Sequence, residues 1–246
     1  MKKIVTAFKK WISLINKNRR EIRFKKYSKM STEQIFSNIY EKNIWGGSKG
    51  EFYSGDGTAD PNTLYYIDYL NSFIKEKNIK SILEVGCGDF RIMYQVLKQN
   101  PVTKYLGIDV VEALIQHNDN KFSTHHINFL KKNAIKDELP QADLIIIRQV
   151  LQHLNNSEIN EILKKVNTFK YGIITEHVSI SADAVPNIDK ITGPHVRTRY
   201  NSGVFIDLPP FSLPNTQVVF EFRFDEVLKK SIVPAVIRTY LINNRV

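Results

Sequence analysis

A doubly wound α/β fold built on a mostly parallel sheet is what this sequence predicts, and three stretches predict it. Residues 81–90 join a short apolar run (Ile82, Leu83, Val85) to a turn containing Gly86 and Gly88. Residues 91–98 then carry Ile92, Met93, Val96 and Leu97 at helical spacing. The run reads as a strand buried on both faces, and the glycines let the backbone turn tightly and approach a ligand without a Cβ in the way. Residues 105–110 form a second strand ending in Asp109, and residues 142–154 a third that breaks into a loop and a helix. Strand, glycine turn and helix in this order make the first unit of a nucleotide-binding fold, whose ligands sit outside the carboxyl ends of the strands.

The chain divides into a leader (1–30), a helical and glycine-rich cap (31–78) and a sheet domain (79–246) with an insertion over 179–216. The leader carries eleven Lys and Arg against Glu21 alone, which accounts for the whole net charge of +10, since the rest of the chain is balanced. Ile4, Phe8, Trp11, Ile12 and Ile15 fall on one helical face with lysines around it. That pattern fits a helix on an anionic membrane surface or one packed on protein, and both readings stay open. It is interrupted too often for a secretory signal, and its aromatics lie on the apolar side, away from the bases, which argues against nucleic acid as a partner. No apolar run approaches 18 residues. The single cysteine, Cys87, excludes an internal disulfide and fits a reducing cytoplasm.

In the cap, Ser31 and Gln34 open a helix to about Tyr40, residues 45–58 form a loop rich in glycine and aromatics, and 64–75 is a helix. Beyond the glycine turn come helices over 91–98 and 111–117, a strand over 125–130, a helix over 157–166, a strand over 171–178, and two closing strands over 217–224 and 235–242. Residues 179–216 hold five of the nine prolines and no clear period. A long irregular segment in a compact domain is usually functional, so it is expected to form a lid.

Glu84 is unusual as a carboxylate in an apolar strand, and is expected near the strand's end, where donors can meet it. Asp109 lies at the offset from Gly86 where an acid meets a ribose, or caps the next helix. The Glu-x-Gly-x-Gly pattern at Glu84, Gly86 and Gly88, with Arg91 where a dinucleotide fingerprint has its third glycine, resembles the first motif of class I S-adenosylmethionine-dependent methyltransferases. Asp143 opening a strand that leads to Val150, Leu151, His153 and Leu154 is similar to another motif of that family.

The resemblance implies a Rossmann-like seven-stranded sheet with a closing antiparallel hairpin, and S-adenosylmethionine as cofactor. It implies cofactor contacts at Tyr53, Ser54, Gly55, Glu84, Gly86, Cys87, Gly88, Asp109, Val110, Asn133 and Arg148. Asn133 stands where relatives often have an acid on the adenine amino group. The insertion resembles that of bacterial methyltransferases encoded with surface-glycan genes.

Methyl transfer needs no protein nucleophile, but a hydroxyl acceptor must lose its proton, and a histidine is the usual base. His153 is the first expectation, His177 and His195 the rivals, with Asp189 and Arg197 holding a polar acceptor. Adjacent His125 and His126, on opposite faces of a strand, lack metal-site spacing, and no metal is expected. The reading is an O-methyltransferase acting on a small-molecule or glycan hydroxyl, cytoplasmic or peripheral at the inner face of the membrane. Its alternatives are a non-catalytic S-adenosylmethionine-binding regulator and a nicotinamide oxidoreductase. The acceptor and the oligomeric state are not legible.

Overall fold

The computed structural model describes residues 26–58, 62–228 and 231–244. The amphipathic leader therefore lies outside the described residues except for its last five. Of these, Tyr27 is buried and already belongs to the core.

Helix α1 (Thr32–Glu41) begins with a reciprocal capping box between Ser31 and Gln34, as expected. A loop leads to α2 (Thr63–Glu76), then β1 (Ser81–Val85), α3 (Arg91–Gln99), β2 (Lys104–Asp109), α4 (Glu112–Phe122) and β3 (Ile127–Lys131). The chain continues through β4 (Leu144–Arg148), α5 (Asn156–Val166) and β5 (Tyr171–Ser179) to β6 (Thr216–Leu228) and β7 (Ser231–Asn243). The strands form one sheet in the order β3-β2-β1-β4-β5-β7-β6. The pairs from β3 to β5 are parallel, and β7 runs antiparallel to both β5 and β6. This is the doubly wound, mostly parallel sheet with a closing hairpin that the sequence predicts.

Alternation along the strands divides the core into two layers. Ile145 and Ile147 of β4 face α1 and α5, where Ile35, Phe36, Ile159 and Leu163 meet them. Leu144 and Ile146 face α2 and α3, against Leu70, Phe73, Met93 and Val96. Asp143 registers β4 on β1: its Oδ2 accepts from the Lys80 and Ser81 amides at 2.8 and 3.1 Å. Two boundaries differ from expectation. Helix α4 continues past His117 to Phe122, because Asn118 on its buried face bonds the Gly88 carbonyl at 2.8 Å. Strand β3 starts at Ile127, so His125 and His126 precede it, and their rings stack 4.1 Å apart instead of pointing to opposite faces.

The hairpin is longer than predicted. Ser179, the last residue of β5, pairs with Ala235, so the turn end of β6 and β7 overhangs the carboxyl edge of the sheet. Residues 180–215 are irregular except for a short turn of 3-10 helix, Arg197–Tyr200, and they are packed as well as looped. Asn187 bonds the amide and carbonyl of Phe205, and Val204 and Ile206 are fully buried.

Candidate active site

The carboxyl ends of β1, β2 and β4 open into a cavity of about 590 Å³, within the range of small-molecule and cofactor sites. Gly86 and Gly88 turn the chain here at φ +70° and +52°. A Cβ on Gly86 would come within 2.5 Å of Val150 Cγ2, and one on Gly88 within 2.5 Å of Ser54 Oγ. Glycine is thus required for packing against the neighbouring loops, which differs from the expectation that a Gly86 side chain would enter the ligand's space.

Glu84 is buried near the end of β1, where the Tyr105 hydroxyl donates to its carboxyl. Burial pushes its pKa up to about 8. Asp109 accepts from the Val111 amide at 3.1 Å and the Gly88 amide at 3.4 Å, and burial pushes it up to about 6. It therefore supports the entry to α4 while still facing the cavity. Cys87 and Val110 line the same edge, and burial pushes the Cys87 thiol well up.

The cap loop closes over this edge through reciprocal bonds. The Asp89 amide donates to Ser54 Oγ at 2.8 Å, and the Ser54 amide to Asp89 Oδ2 at 3.3 Å. Arg148, at the end of β4, donates from Nη2 to the Gly57 carbonyl at 2.7 Å, while its buried Nε has no hydrogen-bond partner. Ser54 and Gly55 line the cavity as expected. Tyr53 does not; its hydroxyl donates to Asp56 at 2.7 Å and its ring lies against Arg91. Asn133 lines the cavity, but its amide group bonds Glu33 at 2.5 Å and the Ile135 amide at 2.9 Å, which ties α1 to the end of β3. That leaves its oxygen one further acceptor site for an adenine.

His153 also lines the cavity, its ring 4.9 Å from Trp45 and 6.4 Å from Phe36. Burial and the nearby Lys190 lower its pKa to about 3, so the imidazole is neutral at physiological pH. Its carbonyl is held by Gly193 N at 2.9 Å and Lys190 Nζ at 3.0 Å. His177, on β5, reaches the cavity beside Glu226 and Phe224. His195 instead meets Arg199 through Nδ1 at 2.9 Å.

Two expected substrate residues lie elsewhere. Arg197 is fully buried and donates to the carbonyls of Ile188 and Leu154 (2.7 Å to the latter), bracing the insertion. Asp189 accepts from the Asn156 amide at 2.8 Å at the start of α5. The insertion lines the cavity with Pro194, Val196 and Arg199.

Sequence reasoning missed Glu176, whose buried carboxylate accepts from the Leu151 and Gln152 amides at 2.9 and 3.0 Å and so braces the turn that carries His153. The signal that marked Glu84, an acid in an apolar strand, was equally present here. It also missed Phe220, Phe222 and Phe224, visible as alternate aromatics on β6.

Residues 83–169, which take in the three stretches that predicted the fold except for Ser81 and Ile82, match the family model described as Methyltransferase domain. This segment is a methyltransferase domain. Solved structures of similar fold include NodS, an N-methyltransferase from Bradyrhizobium japonicum WM9 in complex with S-adenosyl-L-homocysteine. The TM-score is 0.56 at 10% identity, over 85% of this chain and 98% of that one. The N-terminal domain of EvdMO1 with S-adenosyl-L-homocysteine bound gives 0.54 at 15% identity, over 88% and 98%. The methyltransferase domain of bacterial CtHen1 gives 0.51 at 12%, over 75% and 100%. At such identities these likenesses are of fold. No curated protein matches the sequence.

A methyltransferase domain over residues 83–169 makes S-adenosylmethionine the cofactor to test the site against, and the cavity fits it. Asp109 offers acceptor oxygens to a ribose diol. Glu84, protonated in the ligand-free fold, would ionise to meet a cation, and the unpartnered Nε of Arg148 would suit a carboxylate-bearing ligand. The group supplies a methyl on a sulfonium; the chain supplies the acids, the Gly86–Gly88 turn and the walls that exclude water. Among the described residues no cluster of metal ligands occurs, and no helix is long and apolar enough to cross a membrane.

Proposed function

We propose that the protein O-methylates a hydroxyl of a small-molecule or glycan acceptor, cell-envelope sugars being the glycans to try first. The observation that supports this most is the neutral His153 beside Trp45 in the wall of the cofactor cavity. A neutral imidazole accepts a hydrogen bond from a hydroxyl and orients the oxygen. With its pKa near 3 it is a weak resting place for the proton, so His153 is proposed to position the acceptor more than to deprotonate it. Holding the acceptor in line with the methyl group then supplies much of the rate. Trp45 is itself fixed, donating from Nε1 to the Pro194 carbonyl at 3.2 Å, so cap and insertion together shape this wall.

The test is turnover on a panel of sugars, glycosides and small alcohols, with product mass recorded, for wild type and His153→Ala. Loss of about 10²-fold in kcat/KM, the size that misplacing a reactant costs, is expected with cofactor affinity within a few-fold. Preference for a peptide or RNA over every hydroxyl compound would overturn the substrate reading while leaving the methyltransferase assignment intact.

A further inference from the structure

The overhanging hairpin carries a feature that the cofactor edge does not use. Phe220, Phe222 and Phe224 alternate along β6 and therefore share one face of the sheet, and all three line the cavity. Across β7, Phe222 pairs with Ile237, which pairs in turn with His177 of β5, so phenylalanine and histidine lie on one transverse line. The rings form a row: Phe222 and Phe224 are stacked 6.5 Å apart, and the His177 ring is 5.0 Å from Phe224. At the end of the row His177 Nε2 and Glu226 Oε2 are 3.5 Å apart, both buried and neither with a hydrogen-bond partner.

Resting on the reading above, the geometry points to this row as the acceptor subsite: it seats a ring with an apolar face, sugar or aromatic, and His177, held by Glu226, takes the proton of the ring's hydroxyl. The occupant follows from continuity, since the phenylalanines line the same cavity as the Gly86–Gly88 turn. Both pyranose and aromatic rings offer the flat apolar face that a phenylalanine row accepts. A carboxylate facing Nε2 at 3.5 Å favours the tautomer protonated there, which leaves Nδ1 as the basic nitrogen and offsets the charge that forms on the imidazole. As the acceptor oxygen bonds the methyl carbon, its O–H bond breaks, the pair stays on oxygen and the proton passes to Nδ1. The methyl's former bonding pair remains with its donor. Burial lowers the His177 pKa, and among the charges on the cavity wall, which include Asp56, Glu84, Asp89, Arg91, Asp109, Lys132, Arg148 and Arg199, Glu226 is the one that raises it. Glu226 is thus a positioning residue, and His177 the base.

The experiment uses the full chain loaded with S-adenosylhomocysteine. Histidine NMR titration of wild type, Glu226→Gln and Glu226→Asp should show the His177 midpoint falling in Gln and largely restored in Asp. A midpoint unchanged in Glu226→Gln overturns the dyad. In parallel, saturation-transfer NMR with methyl β-D-glucopyranoside and with catechol distinguishes sugar from aromatic rings. Binding of either that drops at least 5-fold in Phe222→Ala supports the subsite and names the ring class. Binding of neither, or binding indifferent to Phe222→Ala, overturns it. Calorimetry with S-adenosylmethionine is the control: unaltered affinity in these variants confines a failure to this subsite, whereas no cofactor binding by wild type sinks the parent reading with it.

Discussion

Gly86 is the residue at which backbone and packing constraints coincide. Its φ of +70° is left-handed, and a Cβ would be driven against Val150. A valine there adds backbone strain of about 1–3 kcal/mol to that clash. Gly86→Val is therefore expected to lower the melting temperature as well as cofactor affinity. A variant of unchanged melting temperature that had lost only the cofactor would show its side chain in the cavity instead. Glu84 makes a pH prediction. Burial raises its folded-state pKa from the model-peptide range to about 8, so the folded state retains a proton that the unfolded chain releases. The stability from that carboxyl is full below pH of about 4.5 and is lost as pH climbs towards 8. Measured without ligand, wild type should lose melting temperature relative to Glu84→Gln across this window. Parallel curves for the two proteins would show that the carboxyl is not protonated in the fold. Glu176, raised to about 7, acts in the same sense, and His153, lowered to about 3, in the opposite sense at lower pH, which is why the comparison with a single variant is needed.

Among the elements, α5 shows how local chemistry reaches the site. Asn155 caps it, accepting from the Glu158 amide at 2.9 Å, and its amide group meets Thr192 of the insertion at 3.3 Å. The cap follows directly on the turn that carries His153. Asn155→Ala should cost about 1 kcal/mol, or about 2–4 °C in melting temperature for a chain of this size. Cofactor affinity should be unchanged, because the cap bonds neither Glu84 nor Asp109; calorimetric titration measures it. A fall in affinity larger than a few-fold would mean that the turn and the cofactor edge move as one unit.

For the whole molecule, the open question is the basic leader. Residues 31–246 carry balanced charge, so the net attraction to an anionic surface comes from the first 30. Tyr27 is buried, packed beside Gly193, so a clean truncation removes residues 1–25 and leaves it in place. That truncation should abolish salt-sensitive binding to vesicles rich in anionic lipid and leave cofactor affinity unchanged. Equal vesicle binding by both proteins would remove the membrane reading and favour a leader packed on protein.

Features that arise from neighbours along the chain were legible without the fold: period-two and helical spacing, the capping box at Ser31, and the glycine turn between β1 and α3. With them came the acids Glu84 and Asp109, because an acid that ends an apolar strand is conspicuous in one dimension. What Arg197, Asp189 and Tyr53 do became visible in three dimensions alone. Each is a polar residue in an irregular segment, and its role depends on partners that folding brings to it: Leu154 and Ile188 carbonyls for Arg197, the amide of Asn156 for Asp189, the ring-to-guanidinium contact with Arg91 for Tyr53. The same holds for His153 and Glu226. A histidine's basicity follows from burial and nearby charge, and strand spacing alone does not show that the β6 overhang brings Glu226 to His177. The cofactor edge was legible because it lies on consecutive strand ends. The proposed acceptor wall was not, because it is assembled from the cap loop, the turn after β4 and the last hairpin, which meet only when the sheet closes.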